Sequence, residues 1–201
     1  MAKKKRKKPE KYPKCPCCGQ ERHRTEVKEA LRKMKMIDSY NYPHYQPGTD
    51  TDNYIKLQWL QERWACDACL REKRAIVADH QVQYYSTLNW PHMAYYDTQH
   101  TCRSCGDEFT FSKEEKRHWF EELQFYIEAK AVRCQSCRKE LNAEKLKHKT
   151  LSALLQKGID NLEMEELELV IGIYEAWDKE HKIAYYRSVQ RKLELKQSKK
   201  H

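Results

Sequence analysis

Eight of the nine cysteines in this 201-residue chain fall into four Cys-x-x-Cys pairs. The pairs are Cys15/Cys18, Cys66/Cys69, Cys102/Cys105 and Cys134/Cys137. Two intervening residues form a tight turn that aims both sulfurs at one point, and two such turns complete the tetrahedron that structural zinc prefers. Gly19 and Gly106 directly follow the first and third pairs, where such a turn needs a positive φ. The pattern therefore predicts two Zn²⁺ ions per chain, each held by four cysteine thiolates.

The order of the pairs favours one partnership over another. The first pair is expected to share a metal with the second, and the third with the fourth, because each block then has a similar layout. Spacing alone leaves cross-pairing of the two middle pairs open. Cys17 is the ninth cysteine. We interpret it as a bystander, with the alternative that it replaces Cys15 or Cys18 as a ligand.

The sequence also indicates where the chain resides. No apolar run approaches the roughly 20 residues of a membrane span, and no apolar segment follows the basic start to form a signal peptide. We expect a protein without membrane association that is cytoplasmic, or nuclear in a eukaryote. Thiols stay reduced there, so regular cysteine pairs indicate metal binding rather than disulfides.

Basic residues are concentrated at the two ends of the chain, whose formal net charge is +9. Residues 1–14, the basic arm, hold eight basic residues and one acidic residue, and residues 187–201 hold six and one. The cluster in the arm consists of Lys3, Lys4, Lys5, Arg6, Lys7 and Lys8. It is typical of segments that neutralise nucleic-acid phosphates. Nuclear import and simple solubilisation are the alternatives.

The predicted fold is a small zinc-stapled α+β protein, with two zinc-ribbon-like knuckle modules followed by a C-terminal α-helical hairpin. The predicted divisions are a disordered basic arm (1–14), a first knuckle module (15–78), a connector (79–91), a zinc-ribbon domain (92–140) and the hairpin with its basic end (141–201).

Local patterns give the expected elements of the two modules. A helix is predicted over residues 21–37, a loop over 38–53 with Pro43 and Pro47-Gly48, and a strand is a candidate over 54–64. Phe109-Thr-Phe111 predicts a short strand. Ser112 with Glu115 predicts a capped helix that runs to about residue 129.

Two helices are predicted in the C-terminal third. The first covers residues 142–157 and stops at Gly158, a good C-cap. The second begins near residue 161 and continues past 185. Its expected apolar stripe consists of Leu162, Leu169, Ile173 and Trp177.

Residues 95–139 carry a longer motif. It comprises Cys102-Arg-Ser-Cys105-Gly, Phe109-Thr-Phe111, His118-Trp119-Phe120-Glu121 and Arg133-Cys134-Gln-Ser-Cys137-Arg-Lys139. This quarter of the chain resembles the probable zinc-ribbon domain of small bacterial proteins. The resemblance implies that Cys102, Cys105, Cys134 and Cys137 share one metal, and it implies no function. The first module departs from the motif, because its gap is longer and it lacks the Trp-aromatic-Glu helix.

Three functions are compatible with these features. The first is nucleic-acid binding, with aromatic residues either stacking on bases or forming the core. Those aromatic residues are Trp59, Trp64, Tyr84, Tyr85, Trp90, Tyr95 and Tyr96. The second is a protein-interaction adaptor that uses the C-terminal helices, whose stripe has packing against the second ribbon as its alternative role. The third is a His-dependent nuclease, indicated only by Asp79-His80. We expect no enzyme, because four-cysteine zinc sites are closed to substrate.

Overall fold

The computed structural model describes residues 12–41, 50–86 and 88–198 and divides into two compact units, one ending at Cys134 and one starting at Gln135. Most of the predicted basic arm (residues 1–11) and the predicted loop prolines Pro43 and Pro47 lie outside the described residues.

Short helices and two small antiparallel hairpins make up the N-terminal unit. Its elements are a 3₁₀ turn (Arg24–Glu26), α1 (Lys28–Asn41), α2 (Asp50–Lys56), α3 (Asp67–Arg71), β1 (Ala75–Val77), β2 (Ala94–Tyr96), β3 (Thr98–Thr101), β4 (Glu108–Phe111) and α4 (Lys113–Arg117), which continues into a π-helical turn (His118–Glu122). Strand β1 pairs with β2, and β3 pairs with β4 in a register that places Thr98 opposite Phe111. The strand expected at Phe109-Thr-Phe111 is therefore confirmed.

The candidate strand over residues 54–64 is wrong, because this segment continues α2 and then turns. Asn53 and Leu57 are both buried, and the Leu57 N–H donates to the Asn53 carbonyl at 3.2 Å. That spacing of four residues is helical, and it outweighs the partial alternation that favoured a strand. Trp64 is fully buried and its indole N–H donates to the Leu57 carbonyl.

Two predicted helices differ from the observed ones in their bounds. The helix expected over 21–37 starts at Lys28, because a separate 3₁₀ turn capped by His23 precedes it. The helix expected to reach residue 129 ends at Glu122, and Gln124 follows with a φ of 50° that no helix continues through. Ser112 caps the start of this helix by accepting from the Glu115 N–H at 3.1 Å.

The main core of the N-terminal unit surrounds the first group of cysteines. Val27, Met34 and Ile37 of the α1 region are buried there with Leu57 and Trp64. Tyr95 and Tyr96 are also buried, so these two residues and Trp64 form core rather than a stacking surface. Trp59 and Tyr84, by contrast, are 80% and 63% exposed.

The C-terminal unit has three helices where a two-helix hairpin was expected. They are α5 (Gln135–Gln156), α6 (Met164–Ala176) and α7 (Glu180–Ser198). Gly158 ends α5 with a φ of 80°, as a glycine cap predicts. The predicted second helix is interrupted between α6 and α7, where Asp178 has a φ of 56°.

The helices of this unit enclose their own core. Its buried residues are Leu151, Leu154, Leu162, Leu167, Val170, Ile171, Ile173, Tyr174 and Tyr186. From the predicted stripe, Leu162 and Ile173 are buried, whereas Leu169 is 50% exposed. The Trp177 indole donates to the Glu144 carboxylate and its ring stacks on His148. Helix and strand together with two cysteine groups confirm the small zinc-stapled α+β class.

A search of the described residues finds no helix with the length and apolar character that crossing a membrane requires.

Candidate metal centres

The first centre brings together Cys15, Cys18, Cys66 and Cys69, whose sulfur atoms all lie within 4.8 Å of one another. The first two cysteines come from a tight turn that closes when the Gly19 N–H donates to the Cys15 carbonyl at 2.7 Å. The second two lie at the start of α3, which begins directly after Cys66. A knuckle turn and a helix start therefore face each other across the centre.

The second centre repeats this layout with Cys102, Cys105, Cys134 and Cys137, again within 4.8 Å. Its knuckle closes through the Gly106 N–H, which donates to the Cys102 carbonyl at 2.9 Å. This turn connects β3 to β4. The other two cysteines flank the start of α5. The structure thus groups the eight predicted ligands in the predicted partnership, and it places both second pairs on helix starts, which their spacing did not reveal.

The dimensions of both groups fit zinc. Four Zn–S bonds of about 2.3 Å in a tetrahedron hold their sulfurs about 3.8 Å apart. The Cys66 and Cys69 sulfurs are 3.5 Å apart, and those of Cys105 and Cys134 are 3.8 Å apart. Bound zinc would offset half of the charge of four thiolates and cross-link segments that are distant in sequence. The chain accordingly has two four-cysteine groups compatible with two zinc ions.

Hydrogen bonds to sulfur support thiolates at both centres. The Cys66 N–H donates to the Cys15 sulfur at 3.2 Å, and the Cys134 N–H donates to the Cys102 sulfur at 3.3 Å. The Arg22 guanidinium donates to the Cys18 sulfur at 3.5 Å. Donors of this kind stabilise a thiolate ligand and fix its orientation.

Hydrogen bonds lower the pKa of some of these thiols, and burial raises the pKa of others. The Cys105 backbone N–H lowers the pKa of Cys102 to about 6. Burial opposes ionisation of Cys18, but hydrogen bonds from the Arg22 guanidinium, the Gln20 backbone N–H and two neighbouring thiols together outweigh it, and the pKa falls to about 6. Burial raises the pKa of Cys15 to about 11 and raises the pKa of Cys69 as well. Loading the first centre must therefore displace protons from its buried thiols, so its zinc affinity falls as pH falls.

Cys17 lies beside the first centre but outside the four-cysteine group. Its thiol is 3.9 Å from the Arg74 carbonyl, and burial raises its pKa. These observations fit the bystander interpretation better than the exchange of Cys17 for Cys15 or Cys18.

Asp67 joins the first centre to α1, a contact that the sequence analysis missed. Its two carboxylate oxygens accept from the Lys28 and Glu29 backbone N–H groups at 3.0 and 3.1 Å. These are first-turn N–H groups with no partner inside the helix, where a negative charge is also favoured. An acidic residue within a cysteine pair was the available signal, but its partners are 38 and 39 residues away.

The dipeptide Asp79-His80, which indicated a nuclease, has one side chain buried and the other hydrogen-bonded to the backbone. His80 is 1% exposed, and the Asp79 carboxylate accepts from the Gln81 N–H at 3.0 Å. His92 is also buried, with its ring 4.6 Å from that of Phe120. Neither histidine belongs to a candidate metal-ligand group within residues 12–41, 50–86 and 88–198.

Comparison with known proteins identifies one part of the chain. No curated protein and no solved structure matches the chain. A family model described as a probable treble clef domain matches residues 96–145, about a quarter of the chain. The match contains all four cysteines of the second centre and agrees with the zinc-ribbon-like domain expected there. Residues 96–145 therefore form a zinc-binding domain similar to the probable treble clef family.

Proposed function

We propose that this protein is a non-catalytic, zinc-stabilised protein that binds nucleic acid through its basic ends. The observation that carries the proposal is the charge distribution: eight basic residues in positions 1–14 and six in positions 187–201. Lysine and arginine bind phosphates and release condensed counterions, a contribution to affinity that does not depend on base sequence.

The described part of α7 supports this role for the C-terminal end. Arg191 and Lys192 are exposed on α7. Arg187 pairs with Glu175 at 2.6 Å, but both side chains are about half exposed, so this pair contributes little to stability and can exchange for a phosphate.

The chemistry of the centres supports a structural role for zinc. Four cysteine ligands leave no open position for a water or a substrate, so neither centre is suited to catalysis at the metal. Thiolate ligands also need reducing conditions, which fits a cytoplasmic or nuclear location.

The adaptor alternative has less support. Two apolar residues that suggested a docking stripe on the C-terminal helices, Leu162 and Ile173, are used inside the unit's own core. Leu169 of that stripe is left half exposed, and a single leucine is too small a surface to indicate a partner.

Binding to fluorescent single-stranded and duplex oligonucleotides tests the proposal. We expect affinity to fall steeply with salt, and to be largely lost when residues 1–14 are deleted. The matched control keeps the arm's length but replaces Lys3, Lys4, Lys5, Arg6, Lys7 and Lys8 with glutamine, and it should behave like the deletion. Binding that is absent, or that is independent of salt and of these residues, contradicts the proposal.

A further inference from the structure

A basic groove lies on the exposed side of α1, in a folded body that is otherwise mildly acidic. The groove has a volume of about 330 Å³ and is lined by Arg24, Thr25, Lys28, Leu31, Arg32 and Lys35. Four of these six residues are basic and none is acidic. Leu31 is buried, whereas the four basic residues are exposed, so the cations border a shallow apolar floor.

The basic residues follow one face of the helix. Lys28, Arg32 and Lys35 are spaced four and three residues apart, and Arg24 precedes Lys28 by four residues in the adjoining 3₁₀ turn. Residues at this spacing are neighbours on a helix surface and advance by about 6 Å per four residues. The result is a row of positive charges instead of a single cation, which suits an extended polyanion.

The acidic residue Glu29 moderates the row without removing it. Glu29 pairs with Arg32 through two contacts, at 2.6 and 2.8 Å. The Arg32 side chain is 55% exposed, so solvent screens this pair and a phosphate can compete for the guanidinium.

The first metal centre holds the groove in place. Asp67, between the ligands Cys66 and Cys69, accepts from the N–H groups of Lys28 and Glu29 and so fixes the start of α1. On the opposite face of α1, Met34 and Ile37 pack into the core that surrounds the same cysteines. Zinc binding at the first centre is thereby coupled to the orientation of the groove.

We infer that this groove is a phosphate-binding track for nucleic acid, located on the folded body and positioned by the first zinc centre. The inference rests on the proposed function and extends it, because it assigns backbone contacts to Arg24, Lys28, Arg32 and Lys35 in addition to the basic ends. The track contacts phosphates and leaves the base sequence unread.

The first test neutralises two cations in the full zinc-loaded chain. Lys28→Gln combined with Arg32→Gln should weaken duplex binding about tenfold near 0.1 M salt and reduce the slope of log K against log salt by about 1.8. The matched control is Lys145→Gln with Lys149→Gln on α5, which removes the same charge from exposed positions. It should leave the slope nearly unchanged. Circular dichroism and zinc content confirm that each variant is folded.

A second test separates positioning from net charge. Asp67→Ala removes a negative charge, so charge alone predicts tighter binding, whereas loss of the α1 anchor predicts weaker binding. We expect weaker binding with two zinc ions retained. Glu72→Ala is the control, because this exposed acid lies just after α3 and pairs with Arg74. Binding by this variant should stay equal or tighten.

The outcomes distinguish the groove from the basic ends. If the groove variant matches its α5 control while the arm deletion abolishes binding, the groove inference is overturned and the proposed function stands. If the wild-type chain binds phosphatidylserine vesicles but no oligonucleotide, both are overturned. Tighter binding by Asp67→Ala, with zinc content intact, overturns the coupling to the first centre.

Discussion

Two glycines determine how each knuckle turns after its second cysteine. Gly19 has a φ of 70° and Gly106 a φ of 81°, and both N–H groups donate back to the first cysteine of their pair. An L-residue at such a φ costs about 1 kcal/mol or more because its Cβ approaches the following carbonyl. This is a requirement of the backbone, since a Cβ built on Gly106 meets no atom within 4 Å.

Gly106→Ala should therefore lower the free energy of unfolding by about 1 kcal/mol through backbone strain alone. The measurement is urea unfolding of the zinc-loaded chain. Gly172→Ala in α6 is the matched control: its Cβ also meets no atom within 4 Å, but its φ is not positive. Alanine there should raise stability by up to about 1 kcal/mol. Equal effects of the two substitutions would contradict the requirement for a positive φ at Gly106.

Buried His92 makes stability depend on pH. Burial lowers the pKa of His92 to about 3, helped by the charge of Arg63. In the unfolded chain the group titrates near 6.5. Between pH 6.5 and 3 the unfolded state therefore binds more protons than the folded state, and stability falls as pH falls.

His92→Phe should remove this dependence. The wild-type chain is expected to lose up to about 1.4 kcal/mol per pH unit below pH 6.5 that the variant does not lose. Urea unfolding from pH 7.5 to 5.5, with zinc content checked at each pH, measures the difference. Parallel profiles for the two proteins would show that His92 does not titrate as its burial requires.

At the scale of elements, short-range signals were predictable and long-range ones were not. The knuckle turns follow from Cys-x-x-Cys-Gly, and the α5 cap follows from Gly158, because each depends on a few adjacent residues. The strand prediction for residues 54–64 failed because Leu57 and Trp64 are buried by a core assembled from distant segments. The hydrogen bonds by which Asp67 anchors α1 span 38 and 39 residues, and no local pattern encodes them.

The break between α6 and α7 had a similarly weak signal. The connection between the two helices, residues 177–179, contains neither proline nor glycine, so the apolar period appeared continuous through Asp178, whose φ is 56°. Within α6, the predicted stripe placed Leu169 inside, whereas the structure buries Leu167, Val170 and Tyr174. Three helices then share a core that two could not enclose.

A pair of leucines on α6 tests this packing. Leu167→Ala should lower the free energy of unfolding by 2–5 kcal/mol, roughly the cost of emptying a fully buried leucine site. Leu169→Ala on the same helix, at a half-exposed position, should cost less than about 1 kcal/mol. Thermal melting followed by helical circular dichroism compares them. A larger loss for Leu169→Ala would restore the originally predicted stripe.

At the scale of the whole molecule, the two centres connect segments that the chain separates widely. The first joins Cys15 to Cys66 and the second joins Cys102 to Cys134. The chain is 34% charged and 39% hydrophobic, so its small cores benefit from metal cross-links. This need for cross-links explains why cysteine spacing predicted so much of the architecture, and why the function has to be argued from charged surfaces.

The central claim is that each chain holds two structural zinc ions on separate four-cysteine centres. Native mass spectrometry of the purified full chain tests it most directly. We predict two zinc ions in the wild-type protein, one after Cys15→Ser with Cys66→Ser, and one after Cys102→Ser with Cys134→Ser. A wild-type mass with a single zinc that the first pair of substitutions leaves unchanged would contradict it.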